Sequence, residues 1–514
     1  MTRNAPTAMS QAAARAPRVP KRVAAVILNS LKGGVVPRIG LPYITVGREA
    51  EIRALLTDLS LIADGGASFR FLVGRYGSGK SFLLQTIRTH AMGEGFVVAD
   101  ADLSPERRLQ GGQGQGLATY RELIRNLSTK TRPEGGALGL VLDRWVAATL
   151  PSASADSGLS SAPTAAAPYA TTSGANAPAP GEAATDAEQA AHDRMADETA
   201  TSAEQTERNR MADEALNQAL TPLEELVHGF DFTRMLRAYR SASIEGDDER
   251  KSYVLKWLRG EYRTKTEARA ELGCSTIIGD DDWYDYVKLF AAFLTGAGYK
   301  GLLVLIDELV NLFKIPNSIT RQYNYEKILT MYNDTLQGKA RHLGIIMGGT
   351  PQSIEDRRRG VFSYEALRSR LTQGRFAAEG MRDMLAPIIH LHPLTYEELL
   401  VLIEKLQQIH AGYFGYEARL SEGDLVQFLQ IEFGRVGADT HLTPREVIRD
   451  FIELLDIAFQ NPNTPVARIL GSVGDNGGSG LAEHSGGTQP SGGSALVTPA
   501  DPGRDASEFA EFEI

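Results

Sequence analysis

Residues 69–81 read Phe-Arg-Phe-Leu-Val-Gly-Arg-Tyr-Gly-Ser-Gly-Lys-Ser, and the last eight of them match the pattern G-x-x-x-x-G-K-S/T. The apolar run at 69–73 predicts a buried strand, and the pattern at 81–91 predicts a helix. A glycine-rich turn between strand and helix points backbone N–H groups at phosphate oxygens, and the helix dipole favours the same anion. The stretch therefore predicts a phosphate-binding loop in an α/β fold with a parallel sheet.

The residue types in this loop suit a nucleotide with a metal ion. Lys80 supplies a positive charge for the β- and γ-phosphates, and the Ser81 hydroxyl is a ligand for Mg²⁺. We therefore expect a P-loop NTPase core that binds ATP and Mg²⁺. The predicted nucleotide-binding loop comprises Gly74, Arg75, Tyr76, Gly77, Ser78, Gly79, Lys80 and Ser81.

A second apolar run, at 302–306, consists of five aliphatic residues and predicts a fully buried parallel strand. Asp307 and Glu308 follow it directly. At a strand end, Asp307 would hold Mg²⁺ together with Ser81, and Glu308 would polarise the attacking water. We therefore expect hydrolysis of ATP as well as binding, with Glu308 as a catalytic residue.

A third strand is predicted at 342–347, and it ends in Gly348-Gly349-Thr350-Pro351. A polar side chain at this strand tip would lie beside the attacking water, so Thr350 is a further catalytic candidate. The alternative is a threonine that only caps a turn before Pro351.

Arginines occupy positions 357, 358, 359, 368, 370 and 375. An assembling ATPase needs an arginine from a neighbouring subunit, and Arg370 is our candidate. The alternatives are a solvated basic face and a surface that meets acids or phosphates elsewhere. Further on, Thr443 and Pro444 predict a helix start, which would let Arg445 reach the nucleotide.

The bulk composition is that of a soluble globular protein. The net charge is −10, and hydrophobic residues make up 42% of the 514 positions. The single cysteine, Cys274, allows no intramolecular disulfide and fits a reducing cytoplasm. No run of about 18 uncharged apolar residues occurs, so we expect no contact with a membrane.

Three stretches offer little to bury: 1–20, 151–215 and 471–504. The second contains the pentamer Arg-Met-Ala-Asp-Glu twice, at 194–198 and 210–214. Elsewhere, helices are predicted at 120–127, 138–148, 223–241, 249–259, 283–294, 395–408, 423–433 and 443–459, and strands from 96 and at 388–391.

The chain is therefore expected to consist of an ATPase core with insertions and an all-α C-terminal part. The predicted parts are a disordered basic arm (1–22), the N-terminal part of the core (23–150), a low-complexity disordered insertion (151–215), a helical insertion (216–300), the C-terminal part of the core (301–392), an α-helical lid (393–470) and a disordered tail (471–514).

The order of these motifs resembles the AAA+ ATPases. More closely, the strings Val46-Gly47-Arg48-Glu49, Arg75 to Ser81, Asp307-Glu308, Gly348 to Pro351, Ser363 to Leu371 and Leu442 to Glu446 resemble the ATP-binding proteins of BREX (bacteriophage exclusion) systems. This resemblance implies that Gly47 and Arg48 lie at the adenine side and that Glu308 is the catalytic base. It also implies that Thr350 is sensor 1, Arg370 the arginine finger and Arg445 sensor 2. The threonine departs from the asparagine common at sensor 1.

The resemblance implies an ATP-driven or ATP-switched component of an anti-phage complex, with a homo-oligomeric assembly and other defence proteins as partners. Because no winged helix follows the lid, any action on DNA is expected to be indirect. Two alternatives remain open at this point: a nucleotide-dependent scaffold or switch with little hydrolysis, and a transposition or partition regulator of the AAA+ type.

Overall fold

Five parallel strands form the central sheet of the computed structural model, in the order β2-β3-β4-β1-β5. The strands are β1 Ala67–Val73, β2 Val97–Asp102, β3 Leu302–Asp307, β4 Leu343–Gly349 and β5 Ile388–His390. β4 lies between β1 and β3, so Met347 is opposite Phe71 on one side and Ile306 on the other. The carboxyl ends of β1, β3 and β4 therefore meet at one edge of the sheet.

The structure describes residues 19–150, 210–211, 213–372, 382–434 and 443–475. The chain divides into two units, Met1–Pro462 and Asn463–Ile514, and the sheet belongs to the first. In the second unit, the described residues include one helix, Val466–Asp475. Most of the predicted arm, low-complexity insertion and tail lies outside the described residues.

Both faces of the sheet are covered, which explains why its strands read as continuous apolar runs. On one face, Phe71, Val304 and Met347 pack into a core shared with the helices between β2 and β3. On the other face, Leu72 and Leu305 pack against helices Glu49–Ala63 and Lys80–Gly93. The strands predicted from 69, 96, 302, 342 and 388 are all confirmed, whereas helix Glu49–Ala63 was not predicted.

A large set of helices connects β2 to β3. These are Gln115–Arg125, Leu138–Thr149, a helix over 213–224, Gly229–Glu245, Asp248–Leu258, Lys265–Leu272 and Trp283–Gly296. The prediction of one helix at 223–241 is wrong, because the chain turns at 225–228 and His228 is left-handed (φ 62°). A new helix starts at Gly229, where a Cβ would lie only 1.8 Å from the carbonyl oxygen of Leu223.

Three helices, Tyr396–Phe414, Glu422–Gly434 and Pro444–Gln460, follow the sheet. The first and third begin with capping boxes, in which Thr395 and Thr443 accept hydrogen bonds from the third helical residue. Helix Lys21–Lys32, at the other end of the described chain, packs on these same two helices. It begins inside the segment predicted as a disordered arm, with Pro20 as its N-cap residue.

An exposed ion pair joins the N-terminal helix to the C-terminal ones, beside a buried histidine. The Lys32 ammonium lies 2.6 Å from Asp456 Oδ2, and the buried His410 ring lies 3.0 Å from Asp456 Oδ1. The second ring nitrogen of His410 is 2.7 Å from the Tyr416 hydroxyl. The helix at the start of the described chain is thus part of the C-terminal helical layer.

Most of the remaining helices are short, but Ser318–Leu336 is long and packs against β1. They are Leu41–Ile44, Val310–Phe313, Ser318–Leu336, Pro351–Glu355, Glu365–Leu371 and the 3-10 turn Val361–Ser363. Among the residues that the structure describes, no helix combines the length and apolar character needed to cross a membrane.

Candidate nucleotide-binding site

The loop at 74–79 connects β1 to helix Lys80–Gly93, as the sequence pattern requires. Gly77 and Gly79 adopt left-handed backbone conformations (φ 74° and 91°), which glycine reaches without steric cost. A Cβ on Gly77 would lie 2.5 Å from Cβ of Thr443, so this glycine also lets the helix Pro444–Gln460 start directly against the loop.

Lys80 folds over the loop that precedes it. Its ammonium donates hydrogen bonds to the carbonyl oxygens of Gly74 (2.9 Å) and Arg75 (3.0 Å). Burial lowers the pKa of Lys80, while the carboxylates of Asp307 and Glu308 oppose that shift. The side chain is therefore a partly desolvated cation, which is the form that attracts phosphate oxygens most strongly.

Asp307, at the end of β3, uses both of its carboxylate oxygens. Oδ2 accepts a hydrogen bond from the Ser81 hydroxyl at 3.2 Å, and Oδ1 accepts one from the backbone N–H of Glu308 at 2.8 Å. A hydroxyl and a carboxylate side by side are ligands that Mg²⁺ prefers, so the donor set fits this ion. β1 and β3, joined through β4, bring these two side chains together although 226 positions separate them in the chain.

Glu308 is half-buried and has a left-handed backbone (φ 62°). Such a conformation in a residue other than glycine costs roughly 1–3 kcal/mol and is concentrated at functional sites. Burial raises the pKa of Glu308, and the charges of Asp307 and Asp102 raise it further. Asp102 ends β2 opposite Asp307 in the register, and it was not predicted from the sequence to be a site residue.

A cavity of about 270 Å³ opens beside these groups. It is lined by the predicted residues Arg48, Tyr76, Gly77, Ser78, Gly79, Lys80, Ser81, Asp307, Glu308, Thr350 and Arg445. The predicted residues Gly47, Gly74, Arg75 and Arg370 lie outside this lining. The cavity thus combines the loop, the end of β3, the tip of β4 and the start of helix Pro444–Gln460.

Much of the cavity wall is aliphatic, and sequence reasoning missed this part. Its apolar residues include Leu31, Val35, Val36, Ile44, Val46, Leu402 and Ile448. They come from the N-terminal helix, from the segment after it and from the C-terminal helices. Aliphatic side chains carry no motif, so none of these residues was predicted to belong to the site.

Arg48 stabilises the phosphate-binding loop through a hydrogen bond to its main chain. Its buried guanidinium donates to the carbonyl oxygens of Ser78 (2.9 Å) and His392 (2.8 Å) and lies 3.6 Å from Glu51. Gly47 (φ 67°) packs against Glu398, where a Cβ would lie 2.3 Å from the carboxylate. Gly47 and Arg48 therefore connect the loop to the segment that follows β5 and to the first C-terminal helix.

Thr350 performs the capping role that we gave as the alternative. Its side chain and that of Ser353 form a capping box at helix Pro351–Glu355, with Ser353 N–H 3.2 Å from Thr350 Oγ1. Thr350 also lines the cavity. A capping contact and a contact with the nucleotide are compatible, since a hydroxyl that accepts a hydrogen bond can still donate its proton.

The two remaining arginine candidates differ in position. Arg445 lines the cavity, and among the described residues its guanidinium has neither a hydrogen bond nor an ion pair. Arg370 is exposed, and it donates a hydrogen bond to the carbonyl oxygen of Ala366 on its own helix (2.7 Å). The described residues therefore provide Lys80, Arg48 and Arg445 as cations at this cavity, but not Arg370.

A family model for the BREX system ATP-binding protein BrxC/D matches residues 19–171 and 188–473. This match covers most of the chain and includes every element that lines the cavity. A comparison with curated proteins found no match. The chain belongs to the family of BREX system ATP-binding proteins BrxC/D.

Proposed function

We propose that this chain hydrolyses ATP in the manner of an AAA+ ATPase, as a component of a BREX anti-phage complex. The observation that carries the proposal is the contact of Ser81 and Glu308 with the same carboxylate, that of Asp307. This arrangement holds a metal-binding pair and a general base at the edge of the cavity that carries the phosphate-binding loop.

The chain's own groups divide the chemistry between them. The backbone N–H groups of the loop and the ammonium of Lys80 bind the phosphates, with Lys80 exchanging its two carbonyl partners for phosphate oxygens. Ser81 and Asp307 would hold Mg²⁺, which supplies Lewis-acid stabilisation of the phosphate oxygens. Glu308 accepts a hydrogen bond from the attacking water and orients it, and Arg445 approaches the γ-phosphate from the opposite wall.

We also propose the division into parts that the sequence suggested. The core comprises 23–150 and 301–392, except that the helix Lys21–Lys32 belongs with the C-terminal helices. The low-complexity insertion and the helical insertion at 216–300 interrupt this core. The segment 393–470 acts as a lid, since it carries Arg445, Leu402 and Ile448 to the cavity. The N-terminal helix Lys21–Lys32 packs on the helices of this segment and supplies Leu31.

Assembly is part of the proposal. Arg370 is exposed and points to no described acceptor beyond its own helix, which suits an arginine that completes the site of a neighbouring copy. We therefore propose a homo-oligomer that works in the cytoplasm with other defence-system proteins and acts on DNA only through them.

A switch with slow hydrolysis is the second candidate function. It is favoured by the position of Arg370, because one copy alone lacks that charge at its cavity. In such a switch, ATP binding would change the position of the C-terminal helices, and hydrolysis would only return them to their position before binding.

The substitution Glu308→Gln distinguishes the two functions. We expect turnover to fall by roughly 10²–10⁴-fold while the affinity for Mg²⁺ and ATP stays unchanged, because the geometry survives and only the base is lost. Steady-state hydrolysis and calorimetric titration measure the two quantities, and Glu417→Gln, an exposed glutamate outside the cavity, is the matched control. Unchanged turnover in Glu308→Gln would leave the switch as the better description.

A further inference from the structure

A second cavity, of about 1130 Å³, lies between the helices that connect β2 to β3 and the residues at 338–342 that precede β4. Its floor is apolar and is made by Trp145, Leu216, Leu220, Leu223 and Phe293. Small-molecule pockets typically measure roughly 300–1,000 Å³, so this groove is large enough for a polypeptide segment.

Exposed apolar side chains continue the groove at its ends. Leu150, Met211 and Val227 line it and are 42%, 60% and 60% exposed. Exposed apolar patches of this kind mark surfaces that bind other groups. A helix with one apolar face is the occupant that such a groove accepts.

The charges on the rim favour an acidic occupant. Lys339 and Arg341 are exposed, and their side chains have no hydrogen bond or ion pair within the described part of the chain. Lys288, in contrast, is held by Asp285 and Asp334 at 2.9 and 2.8 Å. Glu225 is the exposed acid on the rim. The rim therefore carries two exposed cations, Lys339 and Arg341, and one exposed carboxylate.

The chain itself supplies an acidic segment at this place. Leu150 and Met211 lie on either side of residues 151–209 and both line the groove, so the intervening chain starts and ends beside it. Residues 151–209 contain nine acidic residues and two arginines. A tether this close gives an effective concentration in the millimolar range, which lets a weak contact be occupied.

Part of this segment has the pattern of an amphipathic helix. Ala184, Ala187, Ala191 and Met195 recur at helical spacing, and Glu182, Asp186, Asp193 and Asp197 recur on another face. Residues 194–198 also repeat the pentamer at 210–214, whose Met211 already lines the groove. The chain therefore carries this pentamer twice, once in the acidic segment and once beside the groove.

We propose that residues 182–209 dock into this groove of their own chain as a helix. The row of alanines and Met195 contacts the floor around Leu220 and Phe293, and the acidic face meets Lys339 and Arg341. The segment then acts as a tethered ligand that covers an apolar surface and that a partner with a similar acidic helix would have to displace.

Photo-crosslinking in the full-length protein tests the contact. A benzoylphenylalanine at position 195 should crosslink to residues 216–227 and 292–296, and the same group at position 160 should not. An equimolar mixture of isotopically light and heavy chains should give crosslinks within one chain. Crosslinks outside the groove, or mainly between copies, would overturn the proposal.

A binding measurement tests the charges separately. In a variant whose residues 182–209 are replaced by Gly and Ser at the same length, a fluorescent peptide of sequence 182–209 should bind. The same peptide should bind the intact protein at least about tenfold more weakly, because the tethered segment competes for the groove. Lys339→Glu with Arg341→Glu in the replaced variant should weaken peptide binding by about tenfold.

The matched control reverses two exposed cations away from the groove, Arg53→Glu with Lys130→Glu. Circular dichroism melting establishes that all variants fold. Equal peptide affinity for the two charge-reversed proteins, or no binding to the replaced variant, would overturn the proposal.

Discussion

Gly348 lies directly against the carboxylate of Asp307. A Cβ on Gly348 would be 2.2 Å from Asp307 Oδ1 and 2.9 Å from its carboxyl carbon. Gly348 is near the end of β4, and its carbonyl oxygen accepts a hydrogen bond from Leu309 N–H just after the two acids. The absence of a side chain on β4 therefore allows Asp307 to reach Ser81 and the Glu308 amide at the same time.

The substitution Gly348→Ala should displace the Asp307 carboxylate. We expect hydrolysis to fall by at least about tenfold, together with the Mg²⁺-dependent part of ATP affinity, because the metal-binding pair is moved apart. We also expect a loss of about 1–3 kcal/mol in the free energy of unfolding from overpacking. Titration of ATP with and without Mg²⁺, and urea denaturation, measure these effects.

Gly412→Ala is the matched control, because a Cβ at that helical position has no atom within 4 Å. It should leave activity intact and raise the free energy of unfolding by roughly 0.5–1 kcal/mol, the usual preference of helices for alanine. If Gly348→Ala behaved in the same way, Asp307 would not depend on the close approach of β4.

Lys80→Ala should weaken ATP binding by at least about tenfold, since a hydrogen-bonded charge contributes about 1.5–3 kcal/mol. The melting temperature should change little, because the Lys80 ammonium hydrogen bonds only to two loop carbonyls among the described groups and otherwise lies over the Tyr76 ring of the same loop. Calorimetric titration and thermal melting check both expectations. Lys130→Ala is the control, since that exposed lysine lies outside the cavity. Wild-type affinity in Lys80→Ala would contradict the assignment of the loop.

Arg445→Ala should lower the affinity for ATP by about tenfold and the affinity for ADP by less, if its guanidinium reaches the γ-phosphate. Stability should be unchanged, because the side chain forms no ion pair among the described residues. Arg449→Ala, one turn further along the same helix and paired with Asp450, is the control. Equal losses for ATP and ADP would place Arg445 away from the γ-phosphate.

The pH dependence of stability should carry a contribution from His410. Burial lowers the pKa of His410 below 6.5, although Asp456 opposes that shift. As the pH falls through 6.5, the unfolded chain binds a proton that folded His410 does not, so stability decreases. This contribution is complete above pH 6.5 and is lost between that value and the lowered pKa.

Urea denaturation at pH 7.5, 6.5 and 5.5 measures the effect, with an upper limit of about 1.4 kcal/mol for each pH unit. His410→Gln removes the titrating ring and should flatten the decrease in the free energy of unfolding over this range. An identical slope in the two proteins would show that another group controls it.

The sequence was sufficient for the parts of the site that depend on local chemistry. The loop, the strand before it and the Asp307-Glu308 pair can each be predicted from a short pattern, because each residue type in that pattern has a single physical role. Thr443 was likewise identified as a helix start, because capping is a local interaction. These features need no knowledge of which strands are neighbours.

The features that the sequence left unpredicted depend on distant contacts. The strand order that brings β4 between β1 and β3 is set by long-range pairing. Helix Ser318–Leu336 was missed because it buries polar residues, including Asn324, which hydrogen bonds to the backbone of Leu109 and Gln110. Leu31 and Val36 form the cavity wall only because their segment packs on the C-terminal helices.

The exposed position of Arg370 allows assembly to be tested. If this arginine acts on a neighbouring copy, Arg370→Ala should bind ATP normally and hydrolyse it about 10³-fold more slowly. Mixing Arg370→Ala with Glu308→Gln should restore part of the activity. A mixed assembly contains boundaries at which an intact Glu308 meets an intact Arg370 from the adjacent copy.

Arg368→Ala is the matched control, because Arg368 lies on the same helix and pairs with Glu365 at 3.5 Å. The specific activity of the wild-type protein should also rise with protein concentration, since assembly follows mass action. If Arg370 instead belongs to a solvated basic face, its replacement leaves turnover intact and mixing changes nothing. Normal hydrolysis by Arg370→Ala, combined with a specific activity independent of concentration, would therefore exclude a site shared between copies and leave each chain to hydrolyse ATP alone.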